Sequence, residues 1–180
     1  MDNAYYSKKQ IIATVDKKGN TLGKIDKWHA HKNGILHRGY LGILIYKNYF
    51  VIQHRKHPAF DGVLDLSFAS HQIFENGKFQ EMNEAFFKDL KREMNLNKKD
   101  ILGKLKYLGF IYYKEKDRKS IYTEHEICDV LIAKINKLPN PNLDFAYGYS
   151  LATKDEILKK GRIYEFLSPW AKEIVDLKMI

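Results

Sequence analysis

The sequence predicts an α+β fold, a mixed β-sheet with helices packed against it. Three observations carry that reading. Short β-rich apolar runs bounded by turn residues recur along most of the chain. One stretch, Glu81 to Met94, has apolar residues at helical spacing. The tripeptide Ser168-Pro169-Trp170 is a helix start, with Ser as N-cap and Pro in the first turn. With 180 residues, 44% of them hydrophobic and 13% aromatic, the chain can bury a core, and disorder is disfavoured. No internal repeat, low-complexity linker or composition break divides it, so a single domain spanning 1–180 is expected.

In chain order, Ile11 to Val15 is β-rich and runs into the turn Asp16-Lys17-Lys18-Gly19-Asn20, after which Thr21 to Trp28 can return as a second strand. Gly39 to Tyr46 and Tyr49 to His54 form a hairpin around Lys47-Asn48, and Leu64 to Ala69 is a short strand. On the 81–94 helix, Met82, Ala85, Phe86, Leu90 and Met94 define the buried face, and Asn95 is a tolerable stop. Leu105 to Tyr113 and Glu126 to Ile135 are long strands separated by a charged tip, and Phe145 to Leu151 is a further strand. Thr153 to Glu156 fits a capping box opening a short helix. The last helix should run to about Lys178, with Trp170, Ile174, Val175 and Leu177 available for burial.

A net charge of +9 favours anionic partners, whether phosphate-bearing small molecules, nucleic acid or anionic membranes; scattered Lys from compositional bias is the alternative. No nucleic-acid-binding signature is present, and no apolar run approaches the length of a membrane span. Cys128 is alone, so no intrachain disulfide forms, and the first ten residues hold no apolar leader. These features point to a cytoplasmic protein.

Several clusters can carry chemistry. Asp89 and Glu93 stand one turn apart on the polar face of the 81–94 helix. Two such carboxylates cost an isolated helix roughly 0.2–0.5 kcal/mol. A divalent cation reverses that cost, because hard metals take carboxylate oxygens and bridge them to phosphates; a solvated face screened by Lys88 and Arg92 is the other reading. His29, His31 and His37 cluster in W-H-A-H-K-N-G-I-L-H, and His71 follows D-L-S-F-A-S. Neutral imidazole suits first-row metals, although the spacing is not that of a zinc finger. In Glu124-His125-Glu126, strand alternation puts the two acids on one face, where they need a cation if they point inward. Lys27, Arg55 and Lys56 are candidates for diphosphate contacts. Cys128, in an apolar strand beside Asp129, is not a reactive thiolate by this reading.

Taken together, V-D-K-K-G-N-T-L-G-K-I-D-K-W-H-A-H, G-I-L-H-R-G-Y, E-H-E-I-C-D-V-L and F-L-S-P-W resemble segments of the Nudix superfamily, in the branch that includes type 1 isopentenyl-diphosphate isomerases. The resemblance covers roughly residues 11–175 and implies a mixed sheet in an α/β/α sandwich. It further implies a first metal held by His31, His37, His71, Glu124 and Glu126, and a second held with the diphosphate by Glu93, with Asp89 as the other retained acid of the Nudix helix. Lys27 and Arg55 would hold phosphate.

Two departures bear on activity. The isomerase cysteine is replaced by Ala69, and the aromatic residue five positions before the final Trp is Glu165, next to Tyr164. The box segment K-D-L-K-R-E-M-N-L puts Arg92 where a third acid is usual, and Gln80 replaces an upstream Glu. The expectation is a Mg2+- or Mn2+-dependent hydrolase of a small diphosphate substrate, with Asp89, Glu93 and Glu126 as catalytic carboxylates. The alternatives are an isopentenyl-diphosphate isomerase-like enzyme and a non-catalytic binding module on the same fold.

Overall fold

The computed structural model describes residues 4–180. Residues 1–3, which belong to the segment expected to hold no leader, lie outside the described residues. The strands are β1 (Ile11–Val15), β2 (Thr21–Asp26), β3 (His37–Tyr46), β4 (Tyr49–Arg55), β5 (Leu64–Asp65), β6 (Phe68–Ser70), β7 (Phe74–Glu75), β8 (Lys78–Phe79), β9 (Ile101–Lys116), β10 (Thr123–Ile135) and β11 (Ala146–Thr153). The helices are α1 (Ala4–Ser7), α2 (Lys27–Asn33), α3 (Met82–Met94), α4 (Lys154–Leu158), α5 (Arg162–Phe166) and α6 (Pro169–Asp176). None of the described helices is long and apolar enough to cross a membrane.

The main sheet is mixed. β3 runs through its centre, parallel to β10 from Glu126↔His37 to Ile135↔Tyr46, and β10 pairs antiparallel with β9. On its other side, β3 meets β4 only beside their turn, at Ile45↔Phe50 and Tyr46↔Tyr49. Beyond that point the two strands splay, with β5 pairing with β4 and β6 with β3. The single strand expected over Leu64 to Ala69 is therefore two, divided at Ser67, whose φ is +79°. The Ser67 hydroxyl closes the gap: it donates to the Val51 carbonyl (2.8 Å) and accepts from the Leu44 amide (2.9 Å). This splay makes room for the site.

Apolar residues on both faces of the sheet are buried, giving the expected sandwich. On one face, Phe86, Leu90 and Met94 of α3 pack with Tyr40, Leu44, Val51 and Phe68. On the other, Trp170, Ile174 and Val175 of α6 and Ile157 of α4 pack with Leu41, Ile43, Ile52 and Val130. Leu177, expected in this layer, is exposed because α6 ends at Asp176. The α3 stop is as expected, with Asn95 at φ +52°.

α2 departs from the sequence expectation, which continued a strand to Trp28. Asp26 caps it by accepting from the His29 amide (3.0 Å), and Gly34 ends it at φ +60°. An Asp N-cap and a terminal Gly eight residues on are ordinary helix punctuation. The turn they enclose converts a stretch of loop histidines into a helix with Ala30 and His31 buried.

Two constraints position these layers. A Cβ at Gly42 would lie 2.5 Å from Phe68 Cζ and 2.8 Å from Phe86 Cε2, so the close approach of α3 to β3 requires glycine there. Asp65 ties α6 to the splayed strands: its carboxylate accepts from Trp170 Nε1 (3.0 Å to each oxygen), from Ser168 Oγ (3.3 Å) and from the Leu66 amide (2.9 Å). Burial raises its pKa to about 6, against the pull of Arg55 and these donors.

Gly42→Ala should lose roughly 1–3 kcal/mol in urea unfolding with an unchanged slope, as overpacking does; a loss under about 0.5 kcal/mol would contradict the close approach. Asp65 carries a pH signature. Because its folded pKa lies above the unfolded value, its contribution is fully present below about pH 4 and is lost as pH rises through about 6. The stability of the wild type relative to Asp65→Asn should therefore fall by on the order of 2–3 kcal/mol between pH 4 and 7 and be level above that. A difference independent of pH over that interval would show that Asp65 titrates normally.

Candidate active site

Three elements converge at the splayed end of the sheet. α2 supplies Lys27 and His31; β3 begins at His37; β10 carries Glu124 and Glu126 on one face, with His125 turned to the other. Register places Glu126 directly opposite His37. His71 follows β6, one position after Ser70, which pairs with Tyr40. Ligand atoms of His31, His37, His71 and Glu126 all lie within 4.8 Å of one another, and all four residues are buried. Glu124, also buried, reaches this group through His31.

The hydrogen bonds of the rings decide what these atoms can do. His31 Nδ1 lies 2.7 Å from the Lys27 carbonyl oxygen, and His37 Nδ1 lies 2.7 Å from that of Ile35. A carbonyl only accepts, so both Nδ1 atoms carry hydrogens, and each ring turns its Nε2 inward. His31 Nε2 is 3.2 Å from Glu124 Oε2, and His37 Nε2 is 3.2 Å from Glu126 Oε1. Both contacts are close enough for ion pairs but out of hydrogen-bond alignment, and both nitrogens, with His71 Nδ1, are buried without a hydrogen-bond partner. Lone pairs facing carboxylates in a buried site repel unless a cation lies between them.

Electrostatics favour a positive charge beside Glu126. Burial pushes His37 down, but Glu126, Glu124 and the Ile35 carbonyl outweigh it and raise its pKa. Burial lowers His71 to about 3, so this ring is neutral. Burial opposes the charge on Glu126, yet His37 and His71 hold its carboxyl well below the ordinary value. Glu126 also accepts from the Tyr113 hydroxyl (2.7 Å) and lies 3.0 Å from His71 Nε2. A Cβ at Gly39 would stand 2.6 Å from the Glu126 carboxyl carbon, so glycine across the strand pair makes the cradle for this side chain. Backbone-anchored imidazoles with inward nitrogens beside carboxylates form a donor set that could hold a metal ion.

Beside this centre lies a basic pocket. Two adjoining cavities share Lys27, Arg55, His57, Ala69 and Ser70 as walls. One extends to His71, Glu124, Glu126, Tyr113 and Trp170, the other to Arg92, Glu93 and Gln53. Lys27 is buried, and burial with the nearby Arg92 and Arg55 charges lowers its pKa to about 8, against Glu124 and Asp89. Arg55 lies 5.3 Å over the Trp170 ring, with its Nη1 3.7 Å from Asp65. Tyr5 and Tyr6 of α1 close the outer wall, and Tyr6 packs on Trp28, His57 and Phe145.

The helix acids are not on a polar face. Asp89 and Glu93 are buried on the same side of α3 as Leu90, and they face Arg92 rather than solvent. The expected screening partner Lys88 instead pairs with Glu75. Lys56 donates to the Leu143 carbonyl and His29 is exposed at the start of α2, so neither joins the site. Cys128 is buried, and burial with the nearby carboxylates pushes its thiol well up.

Sequence reasoning missed Tyr113, Tyr40, Gln53, Gly39 and Tyr5. Two of them had a signal: Tyr113 is Glu126's antiparallel partner once the β9–β10 hairpin is drawn, and a glycine inside an apolar strand marks a close approach.

No family model matches the chain. Curated relatives do. It is 31% identical over 185 aligned positions to isopentenyl-diphosphate Delta-isomerase 1 of Mus musculus, covering 93% of this chain and 81% of that protein. It is 29% identical over 167 positions to isopentenyl-diphosphate Delta-isomerase 1 of Photorhabdus laumondii, covering 90% of each. Among solved structures, DR0079 from Deinococcus radiodurans superposes with a TM-score of 0.68 at 16% identity, over 93% of this chain and 98% of that one. A MutT NUDIX hydrolase from Burkholderia pseudomallei superposes at 0.58 and 12% identity, over 78% and 96%. The structural likenesses establish the shared fold, and the sequence relatives establish the branch. The chain belongs to the isopentenyl-diphosphate Delta-isomerase family and shares its fold with Nudix hydrolases.

Proposed function

We propose that the protein is a metal-dependent hydrolase of a small diphosphate compound, acting in the cytosol. The observation that carries this is the juxtaposition of unpaired imidazole lone pairs and ionised carboxylates with a pocket walled by Lys27 and Arg55. His31, His37, His71 and Glu126 would hold the ion, with Glu124, outside that group of ligand atoms, beside it on His31. Three imidazoles favour a first-row ion such as Mn2+ over Mg2+, which prefers oxygen ligands and retained water. When bound, the ion would supply charge for the developing phosphoryl oxygens and lower the pKa of an attacking water.

The chain's own residues do the rest. Lys27 and Arg55 hold the diphosphate, Lys27 as a point charge and Arg55 through its planar fork. Glu126, expected from sequence to be catalytic, is committed to two imidazoles and the Tyr113 hydroxyl, and its lowered pKa makes it a weak base. Glu124 contacts His31 on one oxygen and lines the pocket, so it is the carboxylate placed to take a proton from water.

A second reading, alkene isomerisation of a prenyl diphosphate, is favoured by the identity to curated isomerases. Against it, Ala69 lines both cavities where a cysteine would stand. A methyl group neither delivers nor removes a proton, so one face of the alkene would lack its acid–base partner.

With Mn2+, a panel of prenyl and nucleoside diphosphates should include a substrate from which phosphate or pyrophosphate is released. Glu124→Gln should slow that release by roughly 10²–10⁴-fold with little change in substrate affinity. Conversion of isopentenyl diphosphate to its dimethylallyl isomer would overturn hydrolysis in favour of the second reading. Saturable binding without turnover on every substrate would overturn both.

A further inference from the structure

Every carboxylate oxygen of Asp89 and Glu93, the two buried acids of α3, is already engaged. Arg92 Nη1 donates to Asp89 Oδ1, and Arg92 Nη2 donates to Glu93 Oε1 at 2.7 Å. The remaining oxygens accept from neutral donors: Asp89 Oδ2 from the Tyr40 hydroxyl (2.5 Å) and Glu93 Oε2 from Gln53 Nε2 (3.2 Å). Binding a metal ion here would require breaking buried hydrogen bonds and holding the ion against a guanidinium. The resemblance implies a metal on Glu93, and these residues do not fit one. The same guanidinium lines the basic pocket with Lys27 and Arg55, and its Nε is buried without a hydrogen-bond partner. The Tyr5 ring, 4.1 Å from its central carbon, and Phe145, at 5.2 Å, hold it from one side.

We infer that Arg92 stands in for the second divalent ion: its fixed positive charge bridges Asp89 and Glu93, offsetting one of their two negative charges, and its guanidinium contributes to holding the diphosphate. The chain therefore loads one metal ion, at the histidine–glutamate centre, and binds a diphosphate without a second. Asp89 and Glu93, expected as metal ligands and catalytic carboxylates, become positioning residues that act through Arg92. This rests on the proposed diphosphate site but not on turnover there.

Metal counting separates the two claims. Wild-type protein dialysed against Mn2+, with and without methylenediphosphonate (a non-hydrolysable diphosphate), should hold one ion per chain in both conditions. Arg92→Glu, which leaves a third carboxylate and no guanidinium, should hold one ion more than wild type. Arg92→Gln, folded by circular dichroism, should bind methylenediphosphonate at least about tenfold more weakly at constant Mn2+, because a charge-assisted contact is lost. A second Mn2+ on wild type that disappears in Glu93→Gln would overturn the inference, as would unchanged methylenediphosphonate affinity in Arg92→Gln. A wild-type count of zero, with one ion gained in Arg92→Glu, would instead refute the histidine–glutamate centre and leave the role of Arg92 standing.

Discussion

The rest of the site depends on one electrostatic constraint: buried imidazole lone pairs face buried carboxylates. Hydrogen bonds from His31 and His37 to main-chain carbonyls fix which ring nitrogen points inward. Protons alone satisfy this arrangement poorly, since His71 is held neutral by burial and its Nδ1 has no partner. A shared cation satisfies every group at once, which is how an otherwise costly cluster can persist in a folded interior.

The fold supplies this geometry through backbone features. β3 and β4 diverge just beyond their turn, and the β5–β6 segment fills the gap. That splay opens a gap between Gln53 and Arg55 of β4 and His37 and Tyr40 of β3, and the β6 segment carries His71 into it, against Glu126. Gly39 leaves room for the Glu126 carboxylate, and Gly42 lets α3 sit close enough for Asp89 to reach Tyr40. Asp65 fastens α6 beneath Arg55, so one buried acid supports both the sandwich and the phosphate wall. Rigid strands therefore position most of the site, while α1 contributes the tyrosines that cover its mouth.

Much of this was legible in the sequence. The β3–β4 turn at Lys47-Asn48, the capping box at Thr153 and the Ser168-Pro169 helix start are local signals, and each lies where expected. The convergence of distant residues was not readable from composition or spacing; it came from the resemblance, which pointed to His31, His37, His71, Glu124 and Glu126 as a group. Two local readings failed for non-local reasons. The β2 pattern ran into α2 because Asp26 and Gly34 cap a turn whose burial depends on β10. Asp89 and Glu93 read as a polar face because a 3.6-residue pattern cannot show that Tyr40, Gln53 and Arg92 would satisfy them inside the protein.

The proposed metal centre is most directly tested by anomalous diffraction from crystals grown with one equivalent of Mn2+ per chain. One strong peak is expected, in contact with His31, His37, His71 and Glu126, with Nδ1 of His31 and His37 still on the Lys27 and Ile35 carbonyls. A map with no peak among those side chains, and with their imidazoles hydrogen-bonded to the two glutamates instead, would contradict it.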